Sequence, residues 1–238
     1  MTEREAKAAD TSWMDNGATA NERTSLQSVE EHEPSFAEEV VHALTHGLGA
    51  VFALGLLVLL VHEASSLLHR LSASVFGASL VSVYLASTVY HALPARWLRA
   101  KAFLRILDHA AIHLLIAGTY TPFAIVAVGG KAGFALATLS WVVAAFGVIV
   151  ETTPLRHSSR LSIATYLGAG WLGALSLPFL WSSTPWTTLA WLLGGGLAYT
   201  AGVPFFLRER PWMHSLWHGF VLVGSVCHGL GVAAVVLP

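Results

Sequence analysis

The sequence predicts an all-α protein, a bundle of seven transmembrane helices with its N-terminus in the cytoplasm and its C-terminus outside. Three observations predict it. Hydrophobic residues make up 55% of the 238, charged residues only 11%, and mean hydropathy is +0.62; soluble globular domains do not reach that balance. Seven apolar windows are each long enough to cross a bilayer as a helix. The Lys and Arg residues collect in alternate connections, which orients the array.

The elements follow in order. Of 14 acidic residues, ten lie between Glu3 and Glu39, leaving Glu63, Asp108, Glu151 and Glu209 for the rest. Residues 1–37 therefore read as a solvated, disordered acidic tail, lacking the basic start and apolar core of a signal peptide. A membrane domain over 38–238 follows it. The seven windows are 40–61, 72–92, 106–128, 133–150, 161–181, 186–207 and 216–237. Pro94, Pro154, Pro185 and Pro211 punctuate four of the connections. Trp181, Trp186 and Trp212 read as interfacial anchors, and Gly194, Gly195 and Gly196 as a helix-packing surface.

With the N-terminus inside, the inner connections hold Arg96, Arg99, Lys101, Arg105, Arg156, Arg160, Arg208 and Arg210. The outer ones hold only Arg70 and Lys131. This orientation sorts the polar residues by depth. His91 ends the second span, Asp108 starts the third, and His214 and His218 start the seventh. Glu39, His42 and His46 start the first. All fall in one slab near the cytoplasmic face. Ionisable groups at membrane depth are costly, so each is a functional-site candidate.

Helix phase sharpens the pattern. His214 and His218 share one face, as do Ser87 and His91. Neutral imidazole suits zinc, copper, iron or nickel. Three histidine ligands, His91, His214 and His218, leave a fourth tetrahedral position for water, which is the catalytic arrangement. Asp108 is placed to bind that water or act as general base, and Ser87 to bind a substrate oxygen or orient a ligand. His228 lies about 15 Å farther along its helix, too far to share the metal. His113 lies about 7.5 Å deeper than Asp108, where it would line a cavity with Thr119, Tyr120 and Thr121. His109 points elsewhere.

Several function classes are excluded. The lysines Lys7, Lys101 and Lys131 all lie outside the windows, so no Schiff-base lysine for retinal is present. Few polar groups lie midway through the spans, which argues against a pore. Seven spans with no internal repeat disfavour an inverted-repeat transporter. No nucleotide or haem-attachment motif appears, and a net charge of −1 gives no reason to expect a nucleic-acid partner. The single cysteine, Cys227, precludes an intrachain disulfide.

Four segments carry a family resemblance: Glu38–Gly49 (EEVVHALTHGLG), Ser87–His91 (STVYH), Leu107–Phe123 (LDHAAIHLLIAGTYTPF) and His214–His228 (HSLWHGFVLVGSVCH). With them the chain resembles the haemolysin III branch of the progestin and adipoQ receptor family. His42 departs from the pattern, since members usually carry Asn there. The resemblance implies zinc (Zn2+) near the cytoplasmic face of a bacterial cytoplasmic membrane. It implies His91, His214 and His218 as ligands, Asp108 as the residue holding the zinc's water, and Ser87 close by. The family is similar to the alkaline ceramidases, which cleave a lipid amide with a comparable site. Two expectations stay open: a zinc-dependent hydrolase of a lipid amide or ester, or a membrane-perturbing, homeostatic or receptor-like protein with structural zinc and no turnover. Membrane lipid is the expected partner, as substrate or ligand.

Overall fold

The computed structural model describes residues 34–237. The predicted acidic tail lies, up to residue 33, outside the described residues. Within them the chain is all helical, with seven helices long and apolar enough to cross a membrane. They are α1 (Phe36–Glu63), α2 (Leu67–Ala92), α3 (Leu98–Val128), α4 (Gly130–Thr152), α5 (Ser159–Ser183), α6 (Trp186–Phe206) and α7 (Met213–Val236). The protein is thus a multi-pass membrane protein with seven spans.

Every predicted window falls on one helix, and most helices outrun their windows. The largest difference is at α3, which begins at Leu98 rather than near 106. Its first turns carry Arg99, Lys101 and Arg105. A hydropathy window stops at such residues, but a helix does not, since Lys and Arg are good helix formers. Asp108 is consequently well inside α3.

Local chemistry sets the helix ends. Ser35 caps α1 in a reciprocal box: the Glu38 amide donates to Ser35 Oγ at 3.3 Å, and the Ser35 amide donates to Glu38 Oε2 at 3.0 Å. Ser66 and Ser158 cap α2 and α5. The last turns of α3, Phe123–Val128, widen into a π-helix directly after Pro122, which lacks an amide proton. Gly129 and Gly130 then turn the chain at φ of 65° and 57°, a region open to glycine at no steric cost. One feature had no signature in the apolar pattern: α5 is interrupted by a 3-10 stretch, Leu172–Ser176.

The spans pack in sequence, α1 on α2, α2 on α3 and α3 on α4, while α6 packs on α7 and α7 returns to α1. The buried core centres on α2, where Phe76, Leu80 and Tyr84 are fully buried. Tyr84 donates to Ser225 Oγ of α7 at 2.8 Å, and Tyr199 of α6 pairs with the same hydroxyl at 2.9 Å. With no water in the bilayer, such hydroxyls must find partners within the bundle. The outer surface is apolar, as a lipid-facing surface must be: Leu48, Val51 and Phe134 are mostly exposed. Trp181 and Trp186, expected as interfacial anchors, are also exposed at the α5–α6 connection.

Candidate metal centre

The first turns of α1, the end of α2 and the start of α7 meet at one end of the bundle. Glu38 and Trp212 fix this meeting. The Trp212 amide donates to Glu38 Oε1 at 2.7 Å, so a carboxylate of the first helix binds a free amide at the head of the last. Trp212 itself sits at φ 64°, a conformation that costs a non-glycine residue about 1–2 kcal/mol. That turn aims the next residues of α7 inward.

Three imidazoles converge there. The ring centres of His214 and His218 are 4.7 Å apart, and each is 5.2 Å from that of His91. One donor atom from each lies within 4.8 Å of the others. His91 and His218 are buried and His214 is half-buried. The sequence placed these three at one depth; the fold places them in contact.

Their hydrogen bonds preset the nitrogens. His91 Nδ1 is 2.6 Å from Glu39 Oε2, so it carries the proton and donates it. His91 Nε2 is left as a lone-pair donor, buried and with no protein partner. His218 Nδ1 is 3.1 Å from Thr45 Oγ1, whose own proton goes to the Val41 carbonyl at 2.8 Å. The Thr45 oxygen therefore accepts, and Nε2 of His218 is again the free donor. Histidine with its outer nitrogen bonded to a carboxylate or hydroxyl is how metal ligands are oriented. Glu39 is held in turn by Lys101, whose ammonium also reaches the Leu93 carbonyl at 3.3 Å. A buried Nε2 without a partner fits a metal ion, and a buried His/Glu cluster that could hold one is present.

Two further histidines join this end. His42 is 1% exposed, and its ring centre is 4.8 Å from those of His91 and His214 and 5.1 Å from that of His218. His46 stacks on His218 at 3.5 Å with the planes 8° apart. Sequence reasoning put Glu39, His42 and His46 at the right depth but gave them no part. The signal was their spacing: positions i, i+3 and i+7 lie along one face of α1. Thr45 and Lys101 had no comparable signal.

Ser87 and Asp108 lie beside this group. Ser87 is buried, and the Asp108 carboxylate pairs with the Ser87 hydroxyl and lies within the electrostatic influence of His109 and His91. Among the described residues, the converging donor groups are His91–His214–His218 and Glu39–His42–His91, and Asp108 belongs to neither.

The remaining histidines serve elsewhere. His109 turns toward α4, with Nδ1 3.6 Å from Glu151 Oε2, and Tyr166 donates to the same carboxylate at 2.9 Å. His113, expected to line a cavity, instead packs between Tyr166 and Gly147, where a Cβ at 147 would come within 2.1 Å of its ring. His228 bonds the Leu192 carbonyl at 3.1 Å. An apolar cavity does exist, between α3, α5, α6 and α7. Thr119 and Tyr120 line it, whereas Thr121 faces α4 and accepts from Trp141 Nε1 at 3.1 Å. Phe206 and Trp217 form its wall nearest the histidines, with the Phe206 ring 6.3 Å from that of His214.

Comparison with known proteins agrees with this architecture. Residues 35–229 match the family described as haemolysin-III related. The chain is 36% identical over 207 residues to hemolysin-3 of Bacillus cereus, covering 84% of this chain and 93% of the relative. It is 35% identical over 192 residues to the hemolysin-3 homolog of Bacillus subtilis (strain 168), covering 79% and 89%. It is 25% identical over 233 residues to the human monocyte to macrophage differentiation factor, covering 91% and 88%. A seven-span bundle matched over nearly its whole membrane region gives one conclusion: the chain belongs to the haemolysin III-related family, with a distant relative of the progestin and adipoQ receptor type.

Proposed function

We propose that the protein is a zinc-dependent membrane hydrolase that cleaves an amide or ester of a lipid at the cytoplasmic face. The observation that carries the reading is the pair of preset Nε2 donors on His91 and His218, meeting His214 beside the Ser87–Asp108 pair. Imidazole donors without thiolate suit zinc, and hydrolysis needs a Lewis acid rather than a redox metal. A bound zinc supplies polarisation of a carbonyl and a lowered pKa for water.

The chain's own residues do the rest. His91, His214 and His218 hold the ion. The Asp108 carboxylate takes the proton from the attacking water and later gives it to the leaving group. The Ser87 hydroxyl orients that carboxylate. The apolar cavity behind Phe206 and Trp217 takes the acyl chain, leaving the head group at the polar end. The eight inner Lys and Arg against two outer ones support placing that end at the cytoplasm, in a bacterial cytoplasmic membrane.

The test is lipid turnover by detergent-purified, zinc-loaded protein. Wild type should release fatty acid from a membrane lipid extract, while Asp108→Asn should keep its zinc and lose at least about 100-fold in rate, the range of a general base. Zinc-loaded protein that leaves the extract unchanged over hours sinks the reading. A second reading is favoured by the position of His42 among the three ligands: a structural metal tying α1, α2 and α7 together. It accords with relatives named as hemolysins, which need no turnover to perturb a membrane.

A further inference from the structure

We propose that His42 is a fourth metal donor, so that the centre at rest is held by four imidazoles rather than three imidazoles and a water. The inference rests on the reading that the centre holds a metal, and it goes beyond the three-histidine set.

The six distances among the ring centres of His42, His91, His214 and His218 run only from 4.7 to 5.2 Å. Six nearly equal distances among four points describe a nearly regular tetrahedron. For four imidazoles on one tetrahedral ion, metal–nitrogen bonds of about 2.0–2.1 Å put the ring centres about 5.2 Å apart. The observed figure matches that expectation on every edge, including the three that involve His42.

The same geometry separates a ligand from a neighbour. An ion at the middle of this tetrahedron lies about 3 Å from each ring centre, which is the distance of a bonded imidazole. A histidine that only hydrogen-bonds a water on the metal stands farther off by a hydrogen bond, about 2.8 Å. His42 leaves no such gap.

The polar environment points the same way. Both nitrogens of His42 are buried and have no protein hydrogen bond. Buried polar groups are satisfied by something, and in this pocket the nearby acceptor is already engaged: Glu39 bonds His91 and Lys101, and stands 4.0 Å from His42 Nδ1. The donors of His91, His214 and His218 already converge within 4.8 Å. As placed, a His42 nitrogen converges with Glu39 and His91 rather than with all three imidazoles; the proposal has the ring turned about its Cβ–Cγ bond, a motion that exchanges carbons and nitrogens within one outline. His46 has unpartnered nitrogens too, but it stacks flat on His218 and stands behind the tetrahedron.

A consequence follows for access. With His42 bonded, the chain fills the fourth position, and a lipid carbonyl or a water reaches the ion only by displacing that ring.

The experiment uses the full-length protein in detergent, stripped and reloaded with Co2+, whose visible bands report coordination. Wild type should bind one Co2+ per chain, with bands that do not change on adding azide. His42→Ala should still bind one Co2+, at least tenfold more weakly, and its bands should shift with azide because a position has opened. Wild-type bands that already respond to azide, with affinities for the two proteins within threefold, overturn the role of His42 while the three-histidine centre stands. Wild type that binds no Co2+ overturns the centre as a whole, and this inference with it. If His42→Ala does not fold, X-ray absorption of zinc-loaded wild type decides: four imidazoles support the inference, and three imidazoles plus an oxygen overturn it.

Discussion

The histidine end of the bundle and the apolar cavity behind it are built on opposite plans. At the histidine end carboxylates, a lysine and a hydroxyl tie one helix to another, while His42 and His46 keep unpartnered nitrogens. Glu38 holds the head of α7, Glu39 holds His91 while Lys101 holds Glu39, and Thr45 holds His218. The cavity is tied instead by aromatic and hydroxyl groups around an apolar lining: Tyr120 bonds the Ala169 and Gly170 carbonyls, Trp171 donates to Thr200 at 3.1 Å, Tyr199 pairs with Ser225, Tyr166 donates to Glu151 and His228 bonds the Leu192 carbonyl. One of its walls, α5, is a broken helix. Under the proposed function the contrast is a division of labour. A metal demands fixed nitrogens, whereas an acyl chain demands only an apolar space that can adjust.

The sharpest way to break the comparison is to remove a ligand. His218→Ala should weaken zinc binding by more than about 100-fold, beyond the loss seen for outer-shell partners, and metal analysis of the purified protein reads this directly. A smaller loss tests the supporting layer. Glu39→Gln keeps the shape but gives up the charge that orients His91, and should cost about 10–100-fold in zinc affinity with the bundle still folded. If Glu39→Gln binds zinc like wild type, the histidine end is less rigidly organised than its hydrogen bonds imply. The mildest perturbation addresses the other side. Gly196 lines the cavity and has open space where a Cβ would go. Gly196→Leu should leave zinc content unchanged and lower lipid turnover by about tenfold, the scale of excess bulk in an apolar pocket. A fall in zinc content in that variant would mean that the two regions are coupled rather than separate.

Much of this was legible in the sequence, for physical reasons that differ by feature. A bilayer imposes a length on apolar runs, so the seven spans could be read directly. Helical periodicity put His214 with His218 and Ser87 with His91, and the charge count put all four at one depth. Contact between helices has no such signature. That His42 sits among the other rings depends on how α1 is rotated against α2 and α7, and an apolar helix face does not encode that angle. Glu39 was placed at the right depth, but nothing in the sequence pairs it with His91, a contact made across two helices. The early start of α3 was masked by the charges of its first turns, and one of them, Lys101, turned out to support Glu39.

The link from Glu38 to the Trp212 amide also has a consequence for biosynthesis. It joins the first helix of the membrane domain to the last, and two of the converging histidines lie on that last helix. While the chain is being made, the first two spans can already bring Glu39, His42 and His91 together, but the His91–His214–His218 group is complete only once the final segment has left the ribosome and docked.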